Sequence, residues 1–187
     1  MKRLVCALLL SSLPAMVGCG GGDPVGPFTS GEMILSFSIA PEDIEGGVID
    51  RDISVATAAA NLWISYVRLV TDLCGNEPAS FDVHSIAVKL DFEASEEVSQ
   101  LEQVLDGQVT VYFTQGGTTV DIGTGVLLGA GPVGLQGLSS QASLATLYTE
   151  MLAGTFNVGL RGGTSRTTND DFAMQLQISF LARATCQ

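Results

Sequence analysis

The 187-residue chain reads as a mainly β protein, an antiparallel β-sandwich of about seven strands with two short helices. Three observations predict it. From residue 32 onward, apolar and polar residues alternate with a period of two, as in strands with one buried and one wet face. The connections between these runs are rich in Gly, Ser, Asn and Asp, the residues that make turns. Only two segments carry a helical period together with helix stop signals. Strands with one apolar face each bury it most simply by stacking two antiparallel sheets.

The elements follow in order. "EMILSFSI" (32–39) places Met33, Leu35, Phe37 and Ile39 on one face. "NLWISYVRLVT" (61–71) is apolar on both faces, which fits a central strand, with a buried helix as the competing reading. "HSIAVKLDF" (84–92) turns Ile86, Val88, Leu90 and Phe92 inward and Lys89 and Asp91 outward. "SEEVSQLEQVLDG" (95–107) predicts a helix with Ser95 as N-cap and Gly107 just past its end. Glu96 and Glu97 then occupy its first turn, and Val98, Leu101, Val104 and Leu105 line one face. "QVTVYFT" (108–114) and "TTVDIGTGVLL" (118–128) alternate again, with Val109, Val111, Phe113, Val120, Ile122, Val126 and Leu128 as the apolar set. "SLATLYTEMLAG" (143–154) predicts the second helix, with a stripe of Leu144, Leu147, Tyr148, Met151 and Leu152 and a stop at Gly154. "TFNVGLR" (155–161) and "DFAMQLQISFLAR" (171–183) complete the strands. Both helical stripes read as lids over the ends of the sheet core.

The formal charge is −12 and the pI near 4.2. Such a surface repels nucleic acid and anionic headgroups, and basic residues interleaved with aromatics are missing, so no nucleic-acid partner is expected. The N-terminus begins with "MKR" and continues into the apolar "LVCALLLSSLPAMVG", interrupted by Pro14 and too short to span a bilayer comfortably. Its end, "MVGC", resembles the lipobox of bacterial lipoproteins, with Met16 where leucine is usual. The resemblance implies a signal peptide at 1–18, cleavage before Cys19, and acylation of that cysteine. Two or more acyl chains then make a stable membrane anchor. Cleavage removes Lys2 and Arg3 but no acidic residue, taking the mature charge to −14. Gly20, rather than aspartate, follows the cysteine, which by the same resemblance implies the outer membrane.

Residues 19–31, "CGGGDPVGPFTSG", read as a Gly/Pro-rich tether reaching on the order of 20 Å, and 32–187 as the folded domain. With Cys6 in the signal and Cys19 lipidated, Cys74 and Cys186 remain, and an oxidising envelope favours one disulfide between them.

One motif points elsewhere. "LLGAGPVGLQ" (127–136) sets Gly129, Gly131 and Gly134 in the G-x-G-x-x-G spacing, which resembles the dinucleotide-binding turn of NAD(P)- and FAD-dependent oxidoreductases. That site needs a strand buried on both faces before the glycines and a helix opening on the last of them. Here the preceding strand carries Asp121, and "LQGLSS" delays the helix, so the glycines read as a tight connection and no cofactor is expected. Arg161 and Arg166 are the best residues for the phosphate-binding variant of that pattern. His84, the one histidine, sits on the strand face of Ile86 and Val88 and leaves little room for a Ser-His-Asp arrangement. Asn169, Asp170 and Asp171 offer oxygen ligands of the kind calcium accepts, without an EF-hand spacing, and read as a turn. The expected function is non-enzymatic: binding, scaffolding or assembly at the envelope, with the membrane and an unidentified envelope protein or ligand as partners. The alternative is an envelope hydrolase or transferase using dispersed carboxylates.

Overall fold

The computed structural model describes residues 26–58 and 62–186. The leader, Cys19 and the tether up to residue 25 lie outside the described residues. Two antiparallel sheets of five strands each are stacked into a β-sandwich.

The strands and helices, in chain order, are β1 (Phe28–Thr29), β2 (Met33–Ile39), β3 (Ile44–Glu45), β4 (Val48–Ser54), α1 (Val55–Ala58), α2 (Leu62–Cys74), β5 (Ser80–Leu90), β6 (Asp106–Gln115), β7 (Thr118–Val126), β8 (Val133–Gly134), α3 (Gln141–Leu144), α4 (Tyr148–Ala153), β9 (Asn157–Gly163) and β10 (Met174–Thr185). In the first sheet β10 is the hub. It pairs along one side with β5 and along the other with β2 and then β1, while β8 extends the far edge of β5. The second sheet runs β3-β4-β9-β6-β7.

The alternation in the sequence is what the sandwich buries. In β10 every even-numbered residue from Met174 to Ala184 is buried, and in β2 every odd-numbered one from Met33 to Ile39. Across the interface, Phe180 of the first sheet meets Phe113 of the second at 5.5 Å between ring centroids. Phe156 stands 4.9 Å from Phe113. Trp63 of α2 closes this end of the core with its edge against Phe156 at 5.0 Å, and its indole N–H donates to the Met151 carbonyl. Aromatic pairs in such edge and tilted geometries add ~0.5–1.5 kcal/mol each beyond their buried area.

Four sequence expectations are corrected. Residues 61–71 are no strand: Leu62–Cys74 is a helix that buries Trp63, Tyr66, Val67 and Val70, as the competing reading had it. Residues 95–107 form no regular helix. Glu96 pairs with Ala173 through both backbone groups, Glu97 takes φ 58°, and only a single 3₁₀ turn forms at Leu101–Gln103. Val98, Leu101, Val104 and Leu105 are nevertheless buried, so the apolar period served a docked loop. Ser95 does not cap a helix. Its hydroxyl donates to the Asp91 carbonyl at 2.7 Å and accepts from the Gln175 N–H at 3.0 Å. Finally, the folded part begins before residue 32. Phe28 and Thr29 pair with Ala184 and Arg183, and buried Ser30 exchanges backbone and side-chain bonds with Ala182.

The second predicted helix stands, as α3, a 3₁₀ turn at Ala145–Leu147, and α4. It buries Leu144, Leu147 and Met151 and ends at Gly154 in the left-handed conformation. The expected disulfide is present: Cys74, the last residue of α2, is bonded to Cys186, just beyond β10.

Candidate functional site on the outer face of the second sheet

The residues with chemistry converge on the solvent face of the second sheet, through strand order alone. Register sets Asp52, Gly159, Tyr112 and Asp121 side by side across β4, β9, β6 and β7. The neighbouring rung carries Asp50, Arg161, Thr110 and Thr124, and the next carries Ser54, Asn157, Thr114 and Thr119.

Gly159 makes this face possible. The Tyr112 ring lies flat over it, and a Cβ at that position would overlap the ring. The ring is buried despite pointing outward, because Arg161 covers it with its guanidinium 5.5 Å from the centroid. Arg161 is held by Asp121, whose two carboxylate oxygens accept from one guanidinium nitrogen at 2.7 and 2.8 Å. The Tyr112 hydroxyl donates to Asp50, and Asn157 donates to Asp52 at 2.7 Å. Burial chiefly, then the Asp50 hydrogen bond and the charges of Asp50 and Asp52, push the Tyr112 pKa upward, while Arg161 opposes them. Tyr112 is therefore a protonated donor at neutral pH, fixed in place and with its proton committed to Asp50.

The result is an array in which the exposed carboxylates of Asp50, Asp52 and Asp121 surround the guanidinium of Arg161, itself open to solvent above the Tyr112 ring. It presents fixed acceptors, a guanidinium and threonine hydroxyls on one side of the sheet.

The residues singled out in the sequence lie apart from this face, except for Arg161 and Asp121. Gly129 and Gly131 form the connection from β7 to β8, and Gly134 lies in β8 opposite Ala87. Strand β8, not a helix, follows the motif, and the next helix starts only at Gln141. The Gly129 N–H donates to the Glu102 carboxylate at 2.7 Å, so the amide that would meet a phosphate already holds an anion. Gly131, at φ 80°, packs so closely that a Cβ would stand 2.7 Å from the Val88 carbonyl oxygen. Arg166 donates to the Gln103 carbonyl at 2.8 Å and stacks over Phe172, away from Arg161.

His84 is not on the face of Ile86 and Val88. The ladder between β5 and β10 slips at Leu181/Ala182, so Val83 and Ile86 both point inward while His84 and Ser85 between them are exposed. Asn169, Asp170 and Asp171 lie in the turn before β10, where Asp170 accepts from the Thr167 N–H at 2.6 Å. Among the described residues no group of three or more His, Cys, Asp or Glu is placed to hold a metal ion.

Asp50 and Asp52 went unnoticed in the sequence because β4 hides its alternation. Only Ile49 of its seven residues is buried, and the run Asp50-Arg51-Asp52 reads as a loop.

A disulfide-closed β-sandwich with one ordered polar face is the class that fold and site define. No family model and no curated protein sequence matches the chain. Among solved structures it is similar to a chain of Desmodium yellow mottle tymovirus, at 10% identity and a TM-score of 0.27, over 94% of this chain and 96% of that one. A likeness that slight carries no argument about function.

Proposed function

We propose that this chain is a lipid-anchored protein of the bacterial cell envelope, and of its outer membrane, whose β-sandwich serves as a non-enzymatic binding or scaffolding module. The observation that carries the proposal is the Cys74–Cys186 disulfide. Such a bond persists in an oxidising compartment, which a chain reaches by export. Export makes sense of the leader "MKRLVCALLLSSLPAMVG", and the cysteine that follows it, Cys19, then stands where lipoproteins carry their acyl groups. No helix among the described residues is long and apolar enough to cross a membrane. Acyl groups on Cys19 would supply the attachment. The binding surface is the array around Tyr112 and Arg161, which is braced by its own hydrogen bonds and ion pair and so loses little freedom on binding.

The test is fractionation with labelled palmitate. The native chain incorporates label and pellets with membranes, and the Cys19→Ser chain does neither. Unlabelled protein, or a Cys19→Ser chain that still pellets, defeats the anchor. The binding face is tested by capture from envelope extracts with Arg161→Ala beside the native chain. An identical set of captured proteins for the two removes that face from the proposal.

A further inference from the structure

Helix α2 carries more apolar surface than the core uses. Leu62, Leu69 and Leu73 are 54%, 57% and 41% exposed, and their spacing of seven and four sets them along one side of the helix, flanking the buried side formed by Trp63, Tyr66, Val67 and Val70. This side borders the first residues of the fold. Leu62, Ser65, Tyr66 and Leu69 line a groove of about 220 Å³ with the segment Thr29–Met33. The Tyr66 hydroxyl ties the two together, donating to the Phe28 carbonyl at 2.7 Å.

The chain reaches this groove from Cys19. Seven residue steps separate Cys19 from Gly26, which at full extension span at most ~25 Å. An acyl group on Cys19 therefore holds Gly26, and with it the start of the fold that borders the leucine side of α2, within that distance of the bilayer, where even a weak apolar contact is made intramolecular.

Resting on the anchor reading above, we propose that Leu62, Leu69 and Leu73 sit on the phospholipid surface and fix the sandwich in one orientation. The far end then points away from the membrane. Strand β5 starts beside Thr185 and ends at Leu90, whose N–H bonds to Ala130, about 33 Å away at the usual rise of a strand. Leu128, 62% exposed, lies at that far end and is the internal control.

The experiment uses the full acylated chain, extracted in detergent and reconstituted into phosphatidylcholine vesicles. A nitroxide is placed on Leu69→Cys or on Leu128→Cys, and its collisions with oxygen and with a water-soluble nickel chelate are measured. Position 69 should favour oxygen, as in lipid, and position 128 should favour nickel. Hydrogen exchange across 62–74 should also slow in the vesicle-bound chain relative to the Cys19→Ser chain in the same buffer. Vesicle flotation with position 69 favouring nickel leaves the anchor standing and overturns the docking. Failure to float with vesicles overturns the anchor and the docking with it. Spin coupling between labels at position 69 in detergent assigns the leucines to a second copy of the chain and also overturns the proposal.

Discussion

Breaking the Cys74–Cys186 bond should act mainly on the unfolded chain. The two cysteines are 112 residues apart, and the loop they close contains β5 to β10. On the chain-entropy relation a loop of that length removes about 16 cal/mol/K from the denatured ensemble, or about 4.8 kcal/mol at 25 °C. The folded state has other means of holding both ends. Trp63, Tyr66, Val67 and Val70 keep α2 in the core, and β10 is paired on both sides. The Cys74→Ala/Cys186→Ala chain should therefore fold to the same structure and lose about 4–5 kcal/mol. Urea denaturation followed by circular dichroism measures this. With a slope of about 2 kcal/mol/M the midpoint should fall by about 2–3 M, and the slope itself should rise as the unfolded chain expands. A loss under ~2 kcal/mol with an unchanged slope would show that the denatured chain is already compact, and the reasoning would fail.

Three other expectations concern the core and the polar face. Gly159→Ala drives a methyl into the Tyr112 ring, and overpacking of this kind destabilises by ~1–3 kcal/mol in thermal or urea unfolding. The companion Gly159→Ala/Tyr112→Ala chain should relieve most of that clash, and additive losses would place the ring elsewhere. Trp63→Ala removes the centre of the aromatic cluster and should destabilise by ~3–5 kcal/mol. The native emission of this one tryptophan should be blue-shifted and move to the red on unfolding, and a native emission already at the red position would contradict its burial. All three tyrosines, Tyr66, Tyr112 and Tyr148, have raised pKa values, with burial the first cause in each. Their contribution to stability is thus fully present below the ordinary tyrosine pKa near 10 and is lost as pH rises through their higher folded values. In a spectrophotometric titration the phenolate absorbance of Tyr66 and Tyr112 should appear only well above pH 10, and all three tyrosines ionising together near pH 10 in the native state would refute the assigned environments.

Most of the sandwich was legible because its strands obey one rule. Where residues alternate strictly, as in β2 and β10 and most of β5, β6 and β9, the fold buries the apolar set, whereas Phe92, Val126 and Leu128, read with the apolar sets of 84–92 and 118–128, are exposed. Three places escaped for different physical reasons. Strand β4 buries a single residue, Ile49, so burial left no period to read. Residues 61–71 were read as a strand because Leu62, Ile64 and Leu69 make the segment apolar on both strand faces, blurring the 3.6-residue stripe that the buried side of α2 possesses. Residues 95–107 had the stripe and helical end signals, yet pairing of Glu96 with Ala173 won over local preference. The candidate site was legible only as scattered residues. Asp121 and Arg161 were both noticed, but their meeting with Tyr112 depends on β9 lying between β4 and β6, an order no local pattern encodes.

The position of β10 has a consequence for timing. Without it, the first sheet retains only the pairing of β5 with the two residues of β8. Yet β10 follows every other strand along this sequence, and its partners β1, β2 and β5 were made long before it. During vectorial synthesis or threading through a narrow pore, half the sandwich has no template until Met174–Thr185 has emerged. Folding of this sheet is then a single late event governed by contacts distant in sequence, which makes it slow. The second sheet, whose strands all precede Met174, can pair first, and the first sheet locks onto it only once the hub strand arrives.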